Sequence, residues 1–150
     1  MLRVIAIGKK HESWVHDGIE RYQKRLKNPF AIEWILLPHS SREGVRARQE
    51  ESERIAKRVS SDDFVILLDE IGNHLTSPAL SNLILERSAL VQVTFVIGGA
   101  YGVSDALKNR ADFVWSLSSL VFPHQLVRLI LAEQLYRSQS IADNHPYHHA

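Results

Sequence analysis

The sequence predicts an α/β fold, a parallel sheet with helices on both faces. Two observations carry that expectation. Short apolar runs alternate with amphipathic stretches along the chain. The strand candidates are continuously apolar, as strands covered on both sides are. A third observation concerns extent. The 150 residues contain no linker, low-complexity segment or internal repeat, so the chain reads as one domain over residues 1–150.

The elements follow in order. Leu2 to Ile7 reads as a buried strand closed by Gly8. Ser13 is the expected cap of a helix from Trp14 to Lys27, ended by Asn28-Pro29. Phe30 to Leu37 is the second strand, stopped by Pro38. A polar helix follows Ser40-Ser41, with a thin core stripe of Val45, Ile55 and Val59. Phe64 to Leu68 is the third strand, followed by the polar Asp69-Glu70 and then Gly72-Asn73. Ser77-Pro78 opens a helix in the favoured cap-then-proline order. Gln92 to Ile97 is the fourth strand and ends in Gly98-Gly99. A short helix follows Ser104, Phe113 to Leu117 is the fifth strand, and Pro123 opens a last helix to about Ile141.

That last helix carries Leu126, Val127, Leu129, Ile130, Leu131, Ala132 and Leu135 around most of its circumference. A surface helix needs a single apolar stripe. Burial on two sides is therefore expected, with a second copy of the chain as the economical partner. A helix central to one subunit is the other reading.

Composition narrows the class. The chain has no cysteine, which excludes a disulfide framework and thiolate nucleophiles or ligands. No apolar stretch approaches the roughly 18 residues of a membrane helix, and the opening MLRVIAIG lacks the features of a signal peptide. A soluble, cytoplasmic protein is expected. The net charge of +1 does not by itself announce nucleic-acid binding. Residues 1–27 nevertheless hold seven basic side chains against three acidic ones, an excess suited to phosphates or to a solvated helix face.

Four stretches could carry chemistry. TFVIGGAYGV brings a strand into a glycine turn, where open α/β sheets bind ligands. Its Gly-Gly-x-x-Gly spacing is not the dinucleotide fingerprint. FVWSLSSLVFPHQLVR offers serines and His124, without the Gly-x-Ser-x-Gly elbow of a hydrolase. Asp69-Glu70 after a strand suits a base, a metal ligand, a ribose contact or a solvated loop. The ending NHPYHHA holds three of the eight histidines, interrupted by Pro146 and Tyr147, so it is not a purification tag. A structural zinc site would need further ligands from elsewhere.

Taken in order, MLRVIAIGK, LLDEIG, FVIGGAYG, SLSSLVFPHQLVRLILAEQLYR and NHPYHH resemble the SPOUT-class ribosomal RNA large subunit methyltransferase H family. The resemblance covers essentially the whole chain; the polar helix is its least distinctive part. It implies S-adenosylmethionine as cofactor and N3 of a pseudouridine in 23S rRNA as target, on the large subunit or ribosome. It also implies a homodimer, a C-terminal trefoil knot and no metal. The implied cofactor residues are Leu68, Gly98, Gly99, Trp115, Ser116, Leu117, Ser118, Ser119 and Leu120, the two glycines leaving room where a side chain would clash. Tyr147 and His148 match the tail, which in this family lies near the neighbouring subunit's cofactor. A tail His or Tyr could accept the N3 proton or orient the base. Arg137 suits an RNA phosphate or the pyrimidine carbonyls, or an ion pair with Glu133 one turn away.

Overall fold

The computed structural model describes residues 1–149. Strands β1 (Leu2–Ile7), β2 (Ile32–Leu37), β3 (Phe64–Asn73), β4 (Val93–Ile97) and β5 (Phe113–Trp115) form one parallel sheet in the order β2-β1-β4-β3-β5. Helices α1 (Ser13–Gln23), α3 (Ser77–Ser88) and α5 (His124–Ala142) pack on one face. Helices α2 (Gly44–Ala56) and α4 (Asp105–Arg110) pack on the other. β1 shows why its strand is apolar at both alternates after Arg3. Leu2, Val4 and Ala6 enter the first core while Ile5 and Ile7 enter the second. Each fully buried Leu, Val or Ile contributes about 1.5–3 kcal/mol relative to exposure.

Several boundaries differ from expectation, and side chains explain most of them. Glu12, not Ser13, is the N-cap of α1, and the helix stops at Gln23 rather than Lys27. Gln139 of α5 holds the segment beyond it, accepting from Lys27 N at 2.7 Å and donating to Arg25 O at 3.0 Å. The N–H groups of Phe30 and Ala31 turn back to Lys27 O, so β2 begins only at Ile32. Thr76 rather than Ser77 caps α3, its hydroxyl accepting from Ala79 N at 3.2 Å. Val45 does not belong to a core stripe, being 69% exposed; α2 instead buries Ala47, Glu51, Ser52 and Ile55.

β3 runs past Leu68 to Asn73 through an irregular register against β5. There Ser116 N donates to Asn73 O at 2.9 Å. A Cβ on Gly72 would lie 2.5 Å from Val114 O, so only glycine admits this approach of two backbones.

α5 lies between α1 and α3, which consumes much of its apolar girth inside one chain. Leu126 and Ile130 stay half-buried. Arg128, with no exposed surface, fastens this helix to the end of β1. Its Nη2 donates to Ile7 O at 2.7 Å and Gly8 O at 3.2 Å, and its Nη1 to Lys10 O at 3.0 Å. Gly8 has φ +120°, and a Cβ there would sit 2.8 Å from Nη2.

Candidate active site

All five strands point their carboxyl ends at one edge. The chain leaves β4 towards α4, and leaves its neighbours β1 and β3 towards the opposite face. Such divergence opens a crevice beside β4. A cavity of about 620 Å³ lies there, within the roughly 300–1,000 Å³ usual for small-ligand sites. Leu68, Ile97, Trp115, Leu117, Leu120, Phe122 and Val127 supply apolar wall, with Asp69, Lys108, Ser118 and His124 as polar groups.

Of the nine cofactor residues expected, Leu68, Gly98, Gly99, Trp115, Leu117, Ser118 and Leu120 line this cavity. Ser116 and Ser119 are not among its lining residues. Ser116 is buried and donates its hydroxyl to Ser118 O at 2.8 Å, shaping the loop from behind. A side chain at either glycine would meet atoms of the protein itself. A Cβ on Gly99 would lie 2.6 Å from Glu51 Oε1 and 3.2 Å from Ile7 Cγ2. One on Gly98 would lie 2.8 Å from Val103 Cγ1. Glycine here lets the turn sit down on the protein, and bare backbone faces the cavity.

Sequence reasoning did not place Lys108 or His124 on this cavity. Lys108 Nζ stands 4.0 Å from Asp69 Oδ2. His124 occupies the first turn of α5, its ring centroid 6.0 Å from that of His39. Burial, then Arg128, then His39 hold its pKa below the ordinary histidine value, so it faces the cavity as a neutral ring. Its position after a proline at a strand's carboxyl edge was the available signal.

The three expected catalytic residues come together elsewhere, at the far end of α5. Arg137 donates to Glu133 Oε1 through both Nε and Nη2, and its Nη1 lies 3.2 Å from His148 Nδ1. The Tyr147 hydroxyl donates to the same Glu133 oxygen at 3.0 Å. The Tyr147 ring meets Tyr136 edge-on at 4.7 Å, with the guanidinium of Arg137 4.9 Å above it. Burial, followed by the hydrogen bonds to Glu133 and Tyr22, pushes the Tyr147 pKa up, so the phenol keeps its proton. The hydrogen bond to Glu133 raises that of Arg137 and secures its charge. Because Arg137 is a donor, His148 accepts at Nδ1 and carries its ring proton on Nε2. The cluster thus presents donors.

Cavity and cluster belong to opposite ends of α5. The rise of 1.5 Å per residue separates His124 from Arg137 by roughly 20 Å. Among the described residues, no three His, Asp or Glu side chains are grouped to hold a metal ion. No helix among them is long and apolar enough to cross a membrane.

The family described as "Predicted SPOUT methyltransferase" matches residues 1–148. Relatives similar over essentially the whole chain carry the name Ribosomal RNA large subunit methyltransferase H. That of Geobacter sulfurreducens is 43% identical over 153 residues, covering 99% of each chain. That of Natranaerobius thermophilus is 42% identical over 158 residues, covering 98% of each. That of Geobacter metallireducens is 40% identical over 152 residues, covering 99% of each. A solved SpoU methyltransferase from Streptomyces viridochromogenes, in complex with AdoMet, overlaps 93% of this chain and 58% of its own. The two share 11% identity, with a TM-score of 0.49.

Proposed function

The chain belongs to the SPOUT methyltransferases, among those named ribosomal RNA large subunit methyltransferase H. From that membership we propose that it methylates N3 of a pseudouridine in 23S rRNA with S-adenosylmethionine, as a homodimer acting on the large subunit or ribosome in the cytoplasm. The observation that carries the reading is the cavity beside β4, bounded by the glycine turn and by the Trp115–Leu120 loop.

The residues fit the cofactor. Leu68, Ile97, Leu117 and Trp115 form an apolar slot for a purine, and the exposed backbone of the Gly99–Gly102 turn offers polar groups without side chains in the way. Bound there, S-adenosylmethionine supplies an electrophilic methyl group. The apolar walls keep water from competing for it.

Two subunits complete the site in this proposal. A tail cluster roughly 20 Å along α5 from its own cavity serves the cavity of a second copy whose α5 runs antiparallel. Half-buried Leu126 and Ile130, and exposed Leu120 (69%) and Val121 (75%), support such a contact. A C-terminal trefoil knot, the family's threading, belongs to the same proposal. So does the single domain over residues 1–150.

N3 becomes a nucleophile by losing its proton, and the resulting charge spreads over the two flanking carbonyl oxygens. Arg137 and the Nε2–H of His148 then stabilise the deprotonated base. Glu133 accepts from Arg137, from Tyr147 and from Gln134, and so works as their positioning residue rather than as a base. The proton goes to water. With the cofactor held in the cavity, its sulfonium methyl would pass to N3 and leave the neutral thioether.

Mass mapping of large-subunit rRNA from cells with and without the protein tests this. A methylpseudouridine that disappears with the protein is expected. An unchanged signal would favour a non-catalytic binding module of large-subunit assembly instead.

A further inference from the structure

Beneath the glycine turn lies a carboxylate that the reaction has not yet used. Glu51 of α2 is 3% exposed. Its Oε2 accepts from Ser40 N at 3.0 Å. Its Oε1 is fully buried and has no hydrogen-bond partner among the described residues. The ion-pair neighbour of Glu51 among the described residues is His39, with Nδ1 3.9 Å away on a ring that is itself half exposed. A buried carboxylate left this bare is destabilising, and such groups persist where a ligand or a function supplies what is missing.

Its position says what that is. Oε1 stands where a Cβ of Gly99 would meet it at 2.6 Å, and Gly99 lines the cavity. Next to Glu51 on α2, Ser52 accepts from Ser104 N at 2.8 Å. Both ends of the turn therefore rest on one stretch of helix, which fixes the carboxylate behind the Gly99 backbone that faces the cavity. Two carboxylates line the cavity itself: Asp69 is offset by Lys108 at 4.0 Å, and Glu70 is exposed, where solvent screens it. Among the described residues Glu51 has no Lys or Arg in ion-pair contact.

We infer that Glu51 is the specificity group by which this site prefers a cationic ligand over its neutral counterpart, favouring the sulfonium cofactor over the demethylated thioether product. The inference rests on the cofactor reading of the cavity. The two ligands differ by one methyl and one positive charge, and only the charge is felt through the turn. From behind that single layer of backbone, a fixed negative charge attracts the sulfonium and leaves the thioether nearly indifferent. It binds the reactant and helps release the product.

Calorimetry with S-adenosylmethionine and S-adenosylhomocysteine on the full-length protein and on Glu51→Gln tests the assignment. Glutamine keeps an acceptor for Ser40 N and loses only the charge. Affinity for S-adenosylmethionine should fall about tenfold while that for the product stays within about threefold, so the preference collapses. The ligand-free variant should melt no lower than the wild type, because an uncompensated buried charge has been removed. Ser52→Ala, which loosens the same turn without touching the charge, should weaken both ligands alike. An equal loss of both ligands in Glu51→Gln, or no loss of either, overturns the inference and leaves Glu51 as a brace for Ser40. Wild-type protein that binds neither ligand overturns the cofactor reading itself, and this assignment with it.

Discussion

Arg137 donates through Nε and Nη2 to one oxygen of Glu133, with the Nε contact at 3.0 Å, and so presents its remaining edge in a fixed direction. A lysine has the charge without the fork. Arg137→Lys should lower single-turnover methylation on ribosomes about 10²–10³-fold, the usual effect of losing a preorganised donor to a developing oxyanion. Affinity for S-adenosylmethionine, measured by calorimetry, should stay at the wild-type level.

Removal of residues 147–150 tests the tail as a whole. Tyr147 packs edge-on against Tyr136 at 4.7 Å, and its loss should cost about 1 kcal/mol of stability in a urea titration. Methyl transfer should fall about 10²–10³-fold, the usual effect of losing a preorganised donor, with cofactor binding nearly unchanged. A chelator should leave the intact enzyme's activity as it was.

Subunit mixing tests the sharing of sites. Gly99→Val drives a branched side chain against Glu51 and Ile7 and should deform the turn enough to abolish cofactor binding. Mixed with tail-deleted subunits, it should recover one working site per heterodimer. Activity that stays absent despite demonstrated subunit exchange would mean that tail and cavity are not shared in this way.

Stability should fall with pH through His11. Burial, then Arg128, then His16 lower its pKa from 6.5 to about 4 in the folded chain. Between those values the unfolded chain binds more protons than the folded one, so stability is complete above pH 6.5 and declines as the pH drops towards 4. His11→Gln, which keeps an acceptor for Arg128, should flatten the melting temperature across that window.

Arg128→Met removes the donors to Ile7 O, Gly8 O and Lys10 O and leaves three carbonyls without them. Relief of a buried cation offsets part of the damage. A net destabilisation of about 3 kcal/mol is expected, read as a lowered urea midpoint with an unchanged slope.

The sheet was legible because its strands are apolar on both faces, and the helix order followed from their spacing. β3 beyond Leu68 was not. Asp69 to Asn73 pairs through backbone groups and through the missing side chain of Gly72, neither of which leaves a hydrophobic pattern. The inner side of α2 escaped for a related reason. Glu51 and Ser52 are buried to serve loop N–H groups, so periodicity counted them as surface. Arg128 was written as one polar letter in LVRLILA, and that isolated charge in an apolar run was the signal to read. Tyr147 and His148 came from the resemblance, and the one-turn spacing already offered Glu133 to Arg137; spacing does not reveal that Tyr147 joins the same carboxylate or that His148 meets Arg137.

The grip of Arg128 on Ile7, Gly8 and Lys10 bears on how the protein is made. Residues at the two ends of the polypeptide meet there, so the loop after β1 cannot be secured until synthesis has passed position 128. A nascent chain that stops earlier carries the first strand, the glycine turn and four helices, yet lacks the clasp and the helix between α1 and α3. Such a fragment would expose the core face that α5 covers and fall to proteases. Completeness of the product is thereby checked by its own last helix.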